Sequence, residues 1–104
     1  MKIRRDPLEM SEKQFEGAIK KLAGLYGYLY YHTYRSQKSP AGFPDCVLVG
    51  YGRVIYAELK TAKGQPTAEQ YEWLLALHDA GQNVFLWRPD DIEDIANILA
   101  TSRN

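Results

Sequence analysis

The segment CVLVG-YG-RVIYAELK, residues 46–60, joins two apolar runs through Tyr51-Gly52 and reads as a β-hairpin. A two-residue turn at Tyr51-Gly52, or a four-residue loop from Gly50 to Arg53, sets Gly50 opposite Arg53. Counting five residues back from one and five on from the other brings Asp45 opposite Glu58. Cross-strand neighbours hold their Cβ atoms roughly 4.5–5.5 Å apart, close enough for two carboxylates to share one hard cation. Lys60 points to the same face, because side chains alternate along a strand. Val47, Val49, Val54 and Tyr56 share that face, so both acids rise from an apolar strip. Two anions there repel, and one takes up a proton unless a cation intervenes. Lys60 alone could be that cation in a purely structural reading.

The rest of the chain supplies the frame. Ser11 with Gln14 forms a capping box, and Phe15, Ala18, Ile19, Leu22 and Leu25 recur at helical spacing, which predicts a helix over 12–26 closed by Gly27. YLYYHTY, residues 28–34, is aromatic and β-branched and predicts a strand. RSQKSPAGFP, residues 35–44, and TAKGQP are loops. Thr67 with Gln70 is a second capping box, opening a helix that carries Tyr71, Leu74, Leu75 and Leu77 and ends at Gly81. NVFLWR, residues 83–88, is a strand, and Pro89-Asp90-Asp91 opens a last helix. The order α-β-β-β-α-β-α predicts an α/β fold, a mixed sheet flanked by helices. VIYAELK and NVFLWR form a strand–helix–strand crossover and are expected to pair in parallel.

At 104 residues this is expected to be a single domain, 1–104. No apolar stretch approaches eighteen residues, which excludes a membrane-spanning helix. The N-terminal MKIRRDPLEMSEK has no apolar run behind its basic residues, so no secretory leader is expected. The single Cys46 lies in an apolar run and is expected to pack as a small hydrophobe in a reducing cytoplasm. Thirteen basic and thirteen acidic residues cancel, which speaks against gripping nucleic acid by bulk charge. Residues 1–63, however, hold eleven Lys/Arg against six Asp/Glu, and residues 64–104 hold two against seven. A basic half can present a positive face to phosphates, or be plain solvated surface.

Carboxylates with room for water suit Mg²⁺ or Mn²⁺, whereas the lack of a Cys/His cluster disfavours zinc. A metal so held lowers the pKa of its water and stabilises charge building on a phosphate. Lys60 could orient the attacking water or neutralise the same charge.

GFPD, then ELK after twelve intervening residues, then a Thr-x-x-Gln helix start, resembles the VRR-NUC branch of the PD-(D/E)xK nuclease superfamily. The likeness extends from the Ser-Glu helix start through Gly-Tyr-Leu-Tyr-Tyr-His to the closing LWRPDD. It implies a restriction-endonuclease-like core and Mg²⁺- or Mn²⁺-dependent DNA cleavage. Asp45 and Glu58 match the metal-binding acids, Lys60 the catalytic lysine, the Leu59 carbonyl an extra ligand, and Gln70 a glutamine characteristic of the branch. Short members of this kind resemble phage or bacterial replication-repair nucleases, often homodimers acting on branched DNA such as Holliday junctions. The resemblance also implies an acid on the first helix. Glu12 and Glu16, four apart, share a helical face; the family's pattern favours Glu12, and both are acids that a helix N-terminus favours anyway.

Gln70 has a structural reason to be there as half of a capping box. His32 is either packed or, by the resemblance, a DNA contact. Arg35, Lys38, Lys63 and Gln65 could meet phosphates or be solvated loop residues. Trp73 and Trp87 fall at core-like positions, and the tyrosines of 26–34 could cover a subunit interface. The leading expectation is a metal-dependent DNA endonuclease. Its rivals are a catalytically silent DNA- or protein-binding module of the same fold, and a structural protein in which Asp45, Lys60 and Glu58 merely form an ion pair.

Overall fold

A computed structural model describes residues 9–34 and 37–101. Helix α1 spans Glu12–Leu25, strand β1 Leu29–His32, β2 Cys46–Gly50, β3 Arg53–Leu59, helix α2 Ala68–Asp79, strand β4 Asn83–Trp87, and, after one 3₁₀ turn at Pro89–Asp91, helix α3 Ile92–Thr101. This is the expected order α-β-β-β-α-β-α. The four strands form one sheet in the order β1-β2-β3-β4, with β1–β2 and β2–β3 antiparallel and β3–β4 parallel. The parallel pair follows from the α2 crossover, since strands joined through a helix re-enter the sheet in the same direction.

The hairpin register is the one that the apolar runs predict: Gly50 faces Arg53 and Cys46 faces Ala57. Its turn has Tyr51 at φ 53° and Gly52 at φ 78°, the double positive φ of a type I′ turn. Tyr51 is an unusual residue for that conformation. Its ring packs edge-on against Tyr28 at 5.4 Å, which helps to hold a backbone that the side chain alone would disfavour.

Both predicted capping boxes form, with Ser11 and Gln14 on α1 and Thr67 and Gln70 on α2 exchanging side-chain and backbone hydrogen bonds. The first strand is shorter than the aromatic run 28–34. It continues past His32 by one bond, Thr33 N–H to the Asp45 carbonyl (2.8 Å), before Pro44 and a left-handed Gly42 (φ 101°) lead the neighbouring chain away.

The core lies on one side of the sheet. Phe15, Ile19 and Ala23 of α1 and Ile95 and Leu99 of α3 close over Cys46, Leu48, Ile55, Ala57, Leu59 and Trp87. Every one of these strand residues has the parity that the hairpin register assigns to a single face. The opposite face carries Val47, Val54, Tyr56 and Val84 and is covered more thinly by α2, none of whose residues is fully buried. The apolar residues of α2 therefore only partly find a partner: Tyr71 is 45% and Leu75 61% exposed. Among the described residues no helix is long and apolar enough to cross a membrane.

Candidate active site

Asp45 stands immediately before β2 and Glu58 is the penultimate residue of β3, so the hairpin carries both carboxylates to the same end of the sheet. A bond across the strands fixes the first of them. The Leu59 N–H donates to Asp45 Oδ2 at 2.8 Å. Glu58 is wholly buried, although its neighbours of the same parity, Val54 and Tyr56, are only half-buried. Lys60 Nζ forms an ion pair with Glu58 Oε2 at 3.0 Å, and the buried Oε1 has no donor. A buried carboxylate is normally satisfied on both oxygens, so Oε1 has room for a further donor or cation.

Burial, reinforced by the nearby charge of Asp45, pushes the Glu58 carboxyl up to about 7 against the pull of Lys60. Burial first, then the charges of Asp45, Glu16 and Glu58, push the Cys46 thiol up to about 12, so this cysteine is neither a nucleophile nor a ready ligand.

The GFPD sequence acquires a local explanation. A Cβ on Gly42 would lie 2.5 Å from the Glu69 carbonyl oxygen and 2.6 Å from its carbon, so only glycine lets this loop lie against the first turn of α2. Phe43 then wedges edge-on between Tyr56 (6.1 Å) and Trp73 (5.1 Å), and the Trp73 indole donates to the Ala41 carbonyl at 3.2 Å. Pro44 is buried, and Asp45 emerges with its position set from both sides.

Of the other expected site residues, Gln70 lines the same cleft as Asp45, a space of about 730 Å³. Its Oε1 accepts the Thr67 N–H at 2.8 Å, which leaves the amide NH₂ outside the capping box. Glu12 is exposed in the first turn of α1. Glu16 instead reaches the sheet, its Oε1 3.5 Å from His32 Nδ1, and its charge acts on Tyr30 and Cys46 together with that of Asp45. His32 pairs with Cys46 in the β1–β2 register and so belongs to the α1 face, half-buried with its ring edge-on to Tyr34 at 4.7 Å. Lys38, Lys63 and Gln65 are exposed on loops. Arg35 lies outside the described residues.

One residue with a clear part escaped the sequence reading. Arg88 Nη1 donates to the carbonyls of Thr61 (2.7 Å) and Gly64 (2.6 Å), pinning the loop that follows Lys60, while Asp91 accepts the Arg88 N–H at 2.8 Å. The RPDD at the end of β4 is its only trace in the sequence, and nothing in that spacing names two backbone carbonyls as the partners.

The fit to a divalent cation can be tested on this geometry. Among the described residues no group of three or more His, Cys, Asp and Glu side chains is assembled to hold a metal. Two carboxylates, one of them buried and short of partners, are what remains. That donor set is hard, anionic and incomplete, and it suits an ion that takes oxygen ligands and keeps several waters, as Mg²⁺ does.

No family model matches the chain, and no curated protein does. Among solved structures, one described as a VRR_NUC domain superposes with a TM-score of 0.71 at 19% sequence identity, over 83% of this chain and 94% of the other. The fold is that of a VRR_NUC domain. The resemblance first visible in GFPD, ELK and Thr-x-x-Gln thus extends to the arrangement of the whole sheet and its helices. At this identity the VRR_NUC likeness speaks for architecture, and the chemistry rests on the side chains just described.

Proposed function

We propose that this protein is a Mg²⁺- or Mn²⁺-dependent endonuclease that hydrolyses DNA phosphodiester bonds, acting on branched DNA such as Holliday junctions. The observation that carries the reading is Glu58, a wholly buried carboxylate set beside Asp45 and ion-paired with Lys60 at 3.0 Å. A fold kept for stability alone gains little from such a group, because a buried charge is costly unless fully compensated.

Asp45, Glu58 and the Leu59 carbonyl would hold the cation. When bound, it supplies positive charge against the scissile phosphate and acidifies water. Water attacks phosphorus, the bond to the leaving sugar oxygen breaks, and a proton passes from water to solvent or to that oxygen. Lys60 Nζ either orients the attacking water or offsets the charge gathering on the phosphate. Asp45 is kept from swinging by the Leu59 N–H. Gln70 would offer its amide NH₂ from the wall of the cleft that Asp45 also lines. For the helix-borne acid, the reading takes Glu16 in preference to Glu12, since Glu16 is half-buried, reaches His32 and acts on Cys46 next to Asp45. His32, Arg35, Lys38 and Lys63 would meet the DNA backbone.

The test is a cleavage panel of flap, fork, nicked and four-way-junction DNA. Mg²⁺ or Mn²⁺ supports cutting, EDTA abolishes it, and a folded protein that cuts none of these with either metal would end the proposal.

One domain of this size covers little DNA, and two cuts on opposing strands of a symmetric junction call for two sites related by a two-fold axis. A homodimer is therefore expected in solution. Light scattering at micromolar concentration checks it, and a monomer mass contradicts it.

A further inference from the structure

The cleft beside Asp45 has a lining that the hydrolysis of a phosphodiester does not require. Tyr31 and Thr33 from β1 and the strand's exit, Tyr34, the Pro40–Phe43 loop, and Trp73 and Gln70 of α2 surround about 730 Å³, within the range of pockets that hold small organic groups. Its described lining carries Asp45 and Glu69 and is otherwise aromatic, apolar or neutral polar. Two of its rings stand open to solvent, Tyr31 at 62% and Tyr34 at 79% exposure. The hydroxyl of Thr33 is buried there without a hydrogen-bond partner, and the Gln70 amide NH₂ is left over from its capping box. Flat aromatic walls with a buried hydroxyl and an amide beside them match a nucleobase, which presents a π-face and a hydrogen-bonding edge.

Resting on the nuclease reading above, we propose that this cleft receives an unpaired base of the strand being cut, next to the scissile phosphate at Asp45. A base inside a duplex is stacked on both sides and would have to be extruded first, whereas one at a branch point or single-stranded end enters without that cost. The cleft would thus select for unpaired nucleotides at the cutting position, and this selection is the physical root of a preference for branched DNA.

The test uses binding, so that it does not depend on cutting. A short single-stranded DNA carrying 2-aminopurine is titrated into the full chain in EDTA, beside the same oligonucleotide with an abasic site in place of that base. Stacking on aromatic side chains predicts quenched 2-aminopurine fluorescence and roughly 5- to 100-fold weaker binding of the abasic oligonucleotide. Tyr31→Ala and Tyr34→Ala, at exposed positions where folding is not at stake, are expected to weaken binding of the base-bearing oligonucleotide alone, and Tyr34→Trp to retain it. Equal affinity for the abasic oligonucleotide overturns the proposal. So does a dimer that dissociates in Tyr34→Ala, which would assign the aromatic wall to a second copy of the chain. Absence of cleavage with base binding intact would count against the nuclease reading and leave the cleft's assignment standing.

Discussion

Lys60→Ala is expected to lower the rate of DNA cleavage roughly 10²- to 10³-fold at saturating Mg²⁺, the usual loss when one preorganised group facing developing charge is removed. Lys60 Nζ is the only cation that the described contacts bring to Glu58, at 3.0 Å, and its side chain is only 15% exposed. Deleting it has a second consequence. It removes the group that pulls Glu58 down, so the buried carboxyl is pushed further up, takes a proton at neutral pH and is a poorer cation ligand there. The variant must therefore be assayed where a cation can stand in, with circular dichroism confirming that it is folded in the same buffer. Lys60→Arg is not expected to restore the rate, since a planar guanidinium puts its charge elsewhere than a compact ammonium. Full-rate cleavage by a folded Lys60→Ala protein would remove Lys60 from the chemistry and leave it as Glu58's structural counter-ion.

The arrangement of Asp45, Glu58 and Lys60 in the candidate site was legible in the sequence because it depends on one local quantity, the hairpin register. Tyr51-Gly52 fixes the turn, the turn fixes the pairing, and parity then decides which side chains share a face. Residues that depend on packing between distant segments were harder to read. Helical periodicity cannot separate Glu12 from Glu16, because both lie on one face; what separates them is the distance from the helix N-terminus at which β1 passes beneath, and that depends on the unpatterned turn at Gly27. His32 illustrates the same limit. Its neighbours Tyr31 and Tyr30 are equally aromatic, so alternation gives no sign of which belongs to the core, and only pairing with Cys46 assigns it to the α1 face. The cleft needs β1, the 39–43 loop and α2 together, and the Arg88 clamp joins the end of β4 to a loop more than twenty residues earlier through backbone carbonyls, which have no residue identity to read. The leucines of α2 mark a helix by their spacing, but spacing does not say how far the sheet face below covers them, and that cover is partial.

The carboxylate at the centre also sets a stability profile. Glu58 stands at about 7 in the folded protein without metal, raised by burial and by Asp45 above the 4.5 of a free glutamate side chain. The sign follows directly. A carboxyl raised on folding binds its proton more tightly in the native state, so its stabilising contribution is complete below about pH 4.5 and is lost as pH rises through 7. In EDTA, the wild type is therefore expected to lose roughly 2–3 kcal/mol relative to Glu58→Gln between pH 5 and pH 8. Glu58→Gln keeps the shape of the protonated group and has no proton to lose, so it should be the more stable protein at pH 8. Mg²⁺ offsets most of that loss at the same pH. The ionised carboxylate is the form that holds the cation, and at a hundredfold excess over the dissociation constant binding adds about 2.7 kcal/mol to the wild type. At pH 5 the proton occupies the same oxygens and Mg²⁺ should change little. Urea unfolding of both proteins at pH 5, 6, 7 and 8, with EDTA or Mg²⁺, measures all of this. Parallel curves for wild type and Glu58→Gln in EDTA would mean that Glu58 is already satisfied in the folded protein. A Mg²⁺ effect as large in Glu58→Gln as in the wild type would place the cation elsewhere.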